Sequence, residues 1–427
     1  MKFATKMEFK DNTKSARKSV FPAGFFWGAA TSAHQVEGGN QNDWTLFERQ
    51  NAKRLSQSAQ KKHWPDYILN NHPNPFQVEN YISGQACDHY NRFKEDFDIA
   101  QSLGHNAHRF SIEWSRIEPE EGKFNGKEIE HYREVIRALR ERDMEPFVTL
   151  WHWTLPRWLE NKGGILTEDF QRYFVRYAER LAVAFKNDVQ FWFTINEPEI
   201  YCLNAYYRGR RPPQKNGFFY FYRGFNSLIL AHRLAYRAMK KISSRFTIGI
   251  VCNLSDFKSS GGPVNAFLKV LFERFWNHRF LQKIKNEIDA IGLNFYFHHR
   301  IRYGLRSANE VISDVGWDLH PEGIESILRD LQVYERPIYI TESGLADARD
   351  KNRAWFIKET IEAAGRALAR GVPVRGYFHW SLSDNFEWDN GFWPRFGLVE
   401  IDYRTLERKI RPSAWEYKKI IENHFNV

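Results

Sequence analysis

Eight short runs of β-branched and aromatic residues alternate with stretches of helical period, and no other feature of this chain limits its architecture as tightly. The runs are Phe26–Thr31, Ala107–Ile112, Pro146–Trp151, Val189–Ile195, Thr247–Cys252, Ile288–Asn294, Pro337–Thr341 and Val374–Trp380. Between them apolar side chains recur at steps of three and four. Tyr90, Phe93, Phe97, Ala100 and Leu103 share one face, as do Phe170, Phe174, Tyr177, Leu181 and Phe185. Strand followed by helix predicts parallel strands joined by crossover helices. No Gly-x-Gly-x-x-Gly turn follows the first run, so the fold class expected is α/β, a closed (β/α)8 TIM barrel rather than a doubly wound sheet. A chain of 427 residues suits one such barrel with insertions. The expected division is a flexible tail over 1–20, Lys-rich and without the apolar core of a secretory signal, and a single barrel domain over 21–427. The polar stretches 51–85, 207–217 and 255–263 read as long loops. Each follows a strand, which puts it at the face where barrels assemble their sites.

Composition removes several classes of function. No run of 18 apolar residues could span a bilayer, so no membrane partner is expected. The formal charge of +10 invites a nucleic-acid reading. Its densest runs, Lys61-Lys62 and Arg208 to Arg211, are short and dispersed, and no nucleic-acid partner is expected. Three scattered cysteines imply no disulfide framework and a cytoplasmic setting. No metal site and no cofactor are expected. His34, His152, His298 and His379 show neither an i, i+4 pair on a helix nor a Cys/His cluster, and the adjacent His298 and His299 would face opposite sides of a strand. Aromatic residues reach 16%, including 15 Trp. Rings beyond the needs of a core suit a cleft for pyranose rings, whose apolar faces stack on indole.

The chemistry concentrates where the runs end. Thr-Ile-Asn-Glu-Pro (194–198) and Ile-Thr-Glu-Ser-Gly (340–344) each place a glutamate directly after an apolar run. Carboxylates there are costly to desolvate, and two facing one cavity are what glycosidic bond hydrolysis needs. The other ends supply His34, Gln35 and Glu37, then Arg109, then His152 and Trp153, then Asn196 beside Glu197, then Asn294 and Tyr296, and finally Trp380. The fifth run contributes no candidate. Amides, an imidazole, an arginine, carboxylates and indoles gathered from different strands fit a hydroxyl-rich ligand.

Six blocks then carry a resemblance. They are Phe-Phe-Trp-Gly-Ala-Ala-Thr-Ser-Ala-His-Gln-Val-Glu-Gly (25–38), Arg-Phe-Ser-Ile-Glu-Trp-Ser-Arg (109–116), His-Trp (152–153), Asn-Glu-Pro (196–198), Thr-Glu-Ser-Gly (341–344) and Trp-Ser-Leu-Ser-Asp-Asn-Phe-Glu-Trp (380–388). In this order the chain resembles glycoside hydrolase family 1, the β-glucosidase family, from about Phe21 to its C-terminus. The resemblance implies a retaining, exo-acting β-glycosidase that works by double displacement on β-linked small glycosides or oligosaccharides. Glu342 would be the nucleophile and Glu197 the acid/base, their carboxyls about 5–5.5 Å apart. Arg109, Asn294 and Tyr296 would support the nucleophile. Gln35, His152, Asn196, Glu387 and Trp388 would hold sugar hydroxyls beside Trp153, with Trp380 as stacking platform and Phe396 as an apolar wall. An anionic Glu387 would repel a phosphate, which favours a non-phosphorylated glycone such as a glucoside, galactoside or fucoside. Two departures stand out. Glu199 occupies a position where relatives often carry an aromatic wall of the aglycone site, adding a third carboxylate near the pair, and Thr154 stands where Asp is more usual. The alternative is a carbohydrate-binding barrel with little turnover, separated from an enzyme by release of p-nitrophenol from an aryl β-glucoside.

Overall fold

The computed structural model describes residues 21–306 and 311–425, so the expected tail over 1–20 lies outside the described residues. Eight parallel strands close into a barrel: β1 (Phe26–Ala30), β2 (Ala107–Ser111), β3 (Glu145–Trp151), β4 (Phe191–Asn196), β5 (Thr247–Ser259), β6 (Ala290–Ile301), β7 (Ile338–Ser343) and β8 (Val374–Trp380). Each pairs with the next, and β8 pairs with β1 to complete the ring. Helices return the chain between strands: α1 (His89–Ser102), α2 (Gly126–Arg140), α3 (Phe170–Ala184), α4 (Phe218–Ile242), α5 (Arg279–Ile284), α6 (Gly323–Leu331), α7 (Arg353–Ala369) and α8 (Pro412–Phe425). The helical faces read from spacing turn inward: Phe93, Phe97 and Ala100 of α1 are buried, as are Phe170, Phe174, Tyr177 and Leu181 of α3.

Aromatic side chains plug the barrel below the site. Phe147 stacks on Phe191 with ring centroids 4.4 Å apart, and Phe26, Tyr339 and Phe378 pack edge-on or tilted against Phe147. Such a filled interior leaves only the end of the barrel beyond the strands' C-termini open to a ligand. Closure at that end depends on Gly344. A Cβ there would lie 1.9 Å from the carbonyl oxygen of Trp380, so only glycine lets the strands that carry Glu342 and Trp380 converge.

Two expected loops are partly regular. The stretch 51–85 begins inside a helix over Asp43–Ala59, opened by an Asn42–Thr45 capping box. Its polar composition hides Trp44, Phe47, Ala52 and Ala59, which are buried at helical spacing. The stretch 255–263 is strand as far as Ser259, because β5 and β6 continue past the barrel as a paired ribbon to Ile301, with a register shift at Leu254/Ser255. A third difference is smaller. β4 starts at Phe191 rather than Val189, whose N–H is taken by the carbonyl of Phe185.

Candidate active site

A cavity of about 910 Å³ opens at the C-terminal ends of the strands. Gln35, His152, Trp153, Asn196, Glu197, Tyr296, Glu342, Trp380, Glu387, Trp388 and Phe396 all line it. Arg109 and Asn294 are fully buried and reach the same groups from beneath. These residues are therefore drawn into one assembly, whereas His34 and Glu37, also offered by the end of the first run, are held outside the lining by Glu48 and Asn42 and by Arg116 and Tyr132.

Glu342, near the end of β7, is fixed by two donors. Arg109 Nη1 donates to its Oε1, and Tyr296 Oη donates to Oε2 at 2.7 Å. Arg109 is itself fully committed: Nε donates to Thr149 Oγ1 at 3.1 Å and Nη2 to Asn196 Oδ1 at 2.7 Å. With Asn196 Oδ1 so engaged, its amide Nδ2 faces His152 Nε2 at 3.1 Å. The imidazole accepts there, which places its proton on Nδ1. Burial, then the charge of Arg109, holds His152 well below the usual imidazole range, so the ring is neutral.

Glu197 occupies a different environment. It follows β4 in the left-handed region, φ 45°, at the start of the short helix Pro198–Cys202. That turn lifts its carboxyl off the strand and into the cavity. Its Oε1 accepts from Asn253 Nδ2 and from Asn294 Nδ2, each at 2.8 Å. Burial, then the charge of Glu342, pushes it up to about 7, against the lowering pull of the two amides and Arg109. Of two carboxyls lining one cavity, one holds an arginine and a phenol, while the other holds a proton near neutral pH.

Asn253 is the residue that sequence reasoning misses. It stands on β5, directly after Cys252 where the fifth run was expected to end, so that strand does supply a group. The same rule that found Asn294 on β6 would have found it one position further on. Asn253 and Asn294 are register partners across β5 and β6, which is why two amides meet one oxygen.

One wall of the cavity is aromatic. Trp380 Nε1 donates to Glu387 Oε1 at 3.0 Å, and the peptide after Trp380 is cis. Trp388 packs against Trp44, Trp153 and His34, with centroids 4.6, 4.8 and 5.5 Å away. Burial pushes Glu387 up to about 7. Glu199, expected to add a third carboxylate near the pair where relatives often carry an aromatic wall, does not line the cavity; Ile200 and Leu203 do. Its carboxyl is buried behind the site, where burial pushes it up to about 8. Burial thus favours its neutral form and lessens the charge it sets beside Glu197. Thr154 donates to Glu113 Oε2 at 2.8 Å.

The histidines weighed for a metal do not converge. His34 bonds Glu48 and Asn42, and His379 is buried in the barrel wall. His299 lines the cavity while its neighbour His298 turns away to Asp256 Oδ2 at 2.8 Å, the alternation expected of a strand. Asp256, His298 and His320 do form a compact group. Lys258 Nζ lies 2.6 Å from His320 Nε2, so an ammonium already engages the imidazole that a cation would need.

The family model of glycosyl hydrolase family 1 matches residues 17–265 and 275–425. The chain is 32% identical to the 1,4-beta-D-glucan glucohydrolase of Thermotoga neapolitana, covering 95% of this chain and 98% of that one. Identity to beta-glucosidase A of Thermotoga maritima is also 32%, with the same coverage. Among solved structures, the beta-glycosidase from Pyrococcus horikoshii superposes with a TM-score of 0.83 at 34% identity over 95% of each chain. The Thermotoga maritima beta-glucosidase in complex with glucoimidazole gives 0.83 at 30% identity, over 95% of this chain and 99% of that one.

Proposed function

The chain belongs to glycosyl hydrolase family 1, and from that premise we propose that Glu342 and Glu197 are the nucleophile and the acid/base of a retaining, exo-acting β-glucosidase. One observation carries the assignment. Two buried carboxyls line a single cavity in opposed surroundings, Glu342 held by Arg109 and Tyr296, Glu197 kept protonated by burial and by the charge of Glu342.

The steps follow from those surroundings. Glu342 attacks the anomeric carbon while Glu197 gives its proton to the leaving oxygen, and a covalent glycosyl ester forms. Esterification removes the negative charge that helped raise Glu197. The two amides and Arg109 then favour its ionised form, and it takes a proton from the incoming water. Asn196, pinned by Arg109 and His152, contacts the 2-hydroxyl, where a bond that strengthens toward the oxocarbenium-like transition state contributes most. Gln35, His152, Glu387 and Trp388 hold the other hydroxyls, with Trp380 beneath the ring and Phe396 and Trp153 as walls.

The glycone is non-phosphorylated, a β-glucoside with β-galactosides or β-fucosides as further substrates. The Glu387 carboxyl offers a phosphate no positive partner, and Arg211, the arginine whose charge reaches it, is engaged by Asp389 at 2.7 Å. The whole of 21–427 acts as one catalytic domain. A cytoplasmic setting is supported by the free, buried state of Cys87, Cys202 and Cys252; no helix among the described residues is long and apolar enough to cross a membrane. NMR of the first-formed sugar is the test. The β-anomer is expected, and an α-anomer refutes a double displacement.

A further inference from the structure

Between β5 and α5 lies a helix over Pro263–Phe272 whose burial is inverted. Its only buried residue is the polar Asn265, while Val264, Phe267, Val270 and Leu271 stand 53, 63, 49 and 46% exposed. These four fall at steps of three, four and seven, so they form one continuous outward stripe. The beginning of α4 adds Phe218, Phe219 and Tyr222, 60, 64 and 46% exposed. The chain just after that helix meets α4: Phe275 stacks on Phe221 at 6.2 Å, and the Arg279 guanidinium lies over both Tyr222 and Phe275. Isolated exposed apolar residues need no explanation, but a contiguous patch marks something that covers it. The family match breaks over 266–274, which leaves Phe267, Val270 and Leu271 of the stripe outside it.

Charge says what covers it. The segment 207–225 holds Arg208, Arg210, Arg211, Lys215 and Arg223 and no Asp or Glu. The segment 257–279 adds Lys258, Lys269, Arg274 and Arg279 with Glu273 as its single acid. Lys269 pairs with Glu273, and Arg211 with Asp389; Arg208, Arg210, Lys215, Arg223, Lys258 and Arg274 are exposed. An apolar helical stripe ringed by cations is the surface that settles into the boundary of an anionic bilayer, its rings and aliphatic chains among the acyl chains and its cations at the headgroups. The patch also adjoins the cavity mouth, because Phe218, Phe272 and Phe275 line the cavity's outer part.

We propose that this face, the Pro263–Phe272 helix with the first turns of α4, docks on the surface of an anionic lipid bilayer and presents the active-site cavity to it. The absence of a spanning run does not bear on this, since such a helix lies in the plane of the interface and needs neither the length nor the uniform hydrophobicity of a span.

Cosedimentation with vesicles tests it. The full chain is expected to pellet with vesicles of equal parts phosphatidylglycerol and phosphatidylcholine, and to bind phosphatidylcholine alone, or the mixed vesicles at high salt, about tenfold more weakly. Phe267→Ser with Leu271→Ser is expected to weaken binding to the mixed vesicles by at least about tenfold, given the apolar area removed from the interface. Both side chains lie outside the cavity lining, so hydrolysis of a soluble aryl β-glucoside stays at the wild-type rate. No pelleting with the mixed vesicles overturns the proposal, as does pelleting that the double variant leaves unchanged. A wild-type oligomer that the double variant converts to monomer, without vesicle binding, would assign the face to a second copy of the chain and overturn it equally. Loss of aryl glucoside hydrolysis in the wild type would count against the catalytic assignment alone, because pelleting is read independently of turnover.

Discussion

Asn253→Ala isolates one of the two amides that converge on Glu197 Oε1, each at 2.8 Å. Both amides favour the ionised carboxylate. They work against burial and the charge of Glu342, and the balance stands at about 7. A hydrogen bond to a charged group is worth about 1.5–3 kcal/mol, and one pKa unit corresponds to about 1.4 kcal/mol. Asn294 remains on the same oxygen and recovers part of the loss. An upward shift of about one unit, to about 8, is therefore expected. With Glu197 as the proposed acid, free enzyme must carry its proton to react, so kcat/KM falls as pH rises through that pKa. The assay is kcat/KM for an aryl β-glucoside across neutral and alkaline pH, wild type against variant. The basic limb moves to higher pH in Asn253→Ala. A limb that stays in place, or moves to lower pH, refutes the claim that this amide stabilises the ionised acid.

Glu197→Gln is expected to cripple substrates with poor leaving groups far more than activated aryl glucosides, because only the former need a proton; equal losses on both would remove its acid role. Tyr296→Phe deletes the 2.7 Å bond to Glu342 Oε2, and steady-state kinetics should show kcat down by about tenfold to a hundredfold. Asp384→Asn strips the bidentate partner from buried Arg411, and urea unfolding should report a loss of about 3–5 kcal/mol. Asp384 lies below the usual carboxylate range, although burial alone would raise it, because Arg411 and Arg395 more than offset that penalty. Its stabilisation is thus complete above the ordinary carboxylate pKa and is lost as pH falls through its lowered value, so the gap between wild type and variant narrows in acid. Prolonged treatment with a strong chelator should leave hydrolysis unchanged; a loss restored by metal would point to Asp256, His298 and His320.

What the sequence made legible was whatever repeats with a period or sits at a fixed offset from an apolar run. The barrel followed from eight alternations, and Glu197, Glu342, His152 and Trp380 followed from standing where those runs end. The fifth strand defeated the same rule by outlasting its apolar stretch. Past Cys252 its residues turn polar while the backbone keeps pairing with β6 to Ser259, so Asn253 looked like the start of a loop. The helix over Asp43–Ala59 was hidden in the same way, its buried positions including Asp43, Glu48, Asn51 and Ser56. Composition reports burial poorly where polar side chains are paired inside. The direction of Glu199 was beyond reach for another reason. A single left-handed residue at Glu197 rotates the following turn, and which side chain then faces the cavity depends on backbone geometry rather than on residue type.

The site holds more acid than it can ionise. Glu197, Glu199, Glu342 and Glu387 are all buried in or just behind one cavity, and four negative charges there would repel one another at low effective dielectric. Arg109 meets that load by bonding Glu342 directly, while burial keeps Glu197 and Glu387 near 7 and Glu199 near 8. Burial therefore makes Glu197, Glu199 and Glu387 hold a proton more readily than an exposed glutamate does, while Glu342 is the carboxylate that Arg109 and Tyr296 bond. In the proposed mechanism, attack on the sugar converts that carboxylate into a neutral ester and leaves the Arg109 guanidinium without its anion. The most economical response is for Glu197 to give up its proton, since it already accepts two amides and feels the same arginine. Under that proposal charge passes from one glutamate to the other as the glycosyl group passes to the enzyme, and returns as water releases it. The cationic frame of the site can therefore stay fixed through both displacements, which is the preorganisation that makes buried electrostatics catalytically useful.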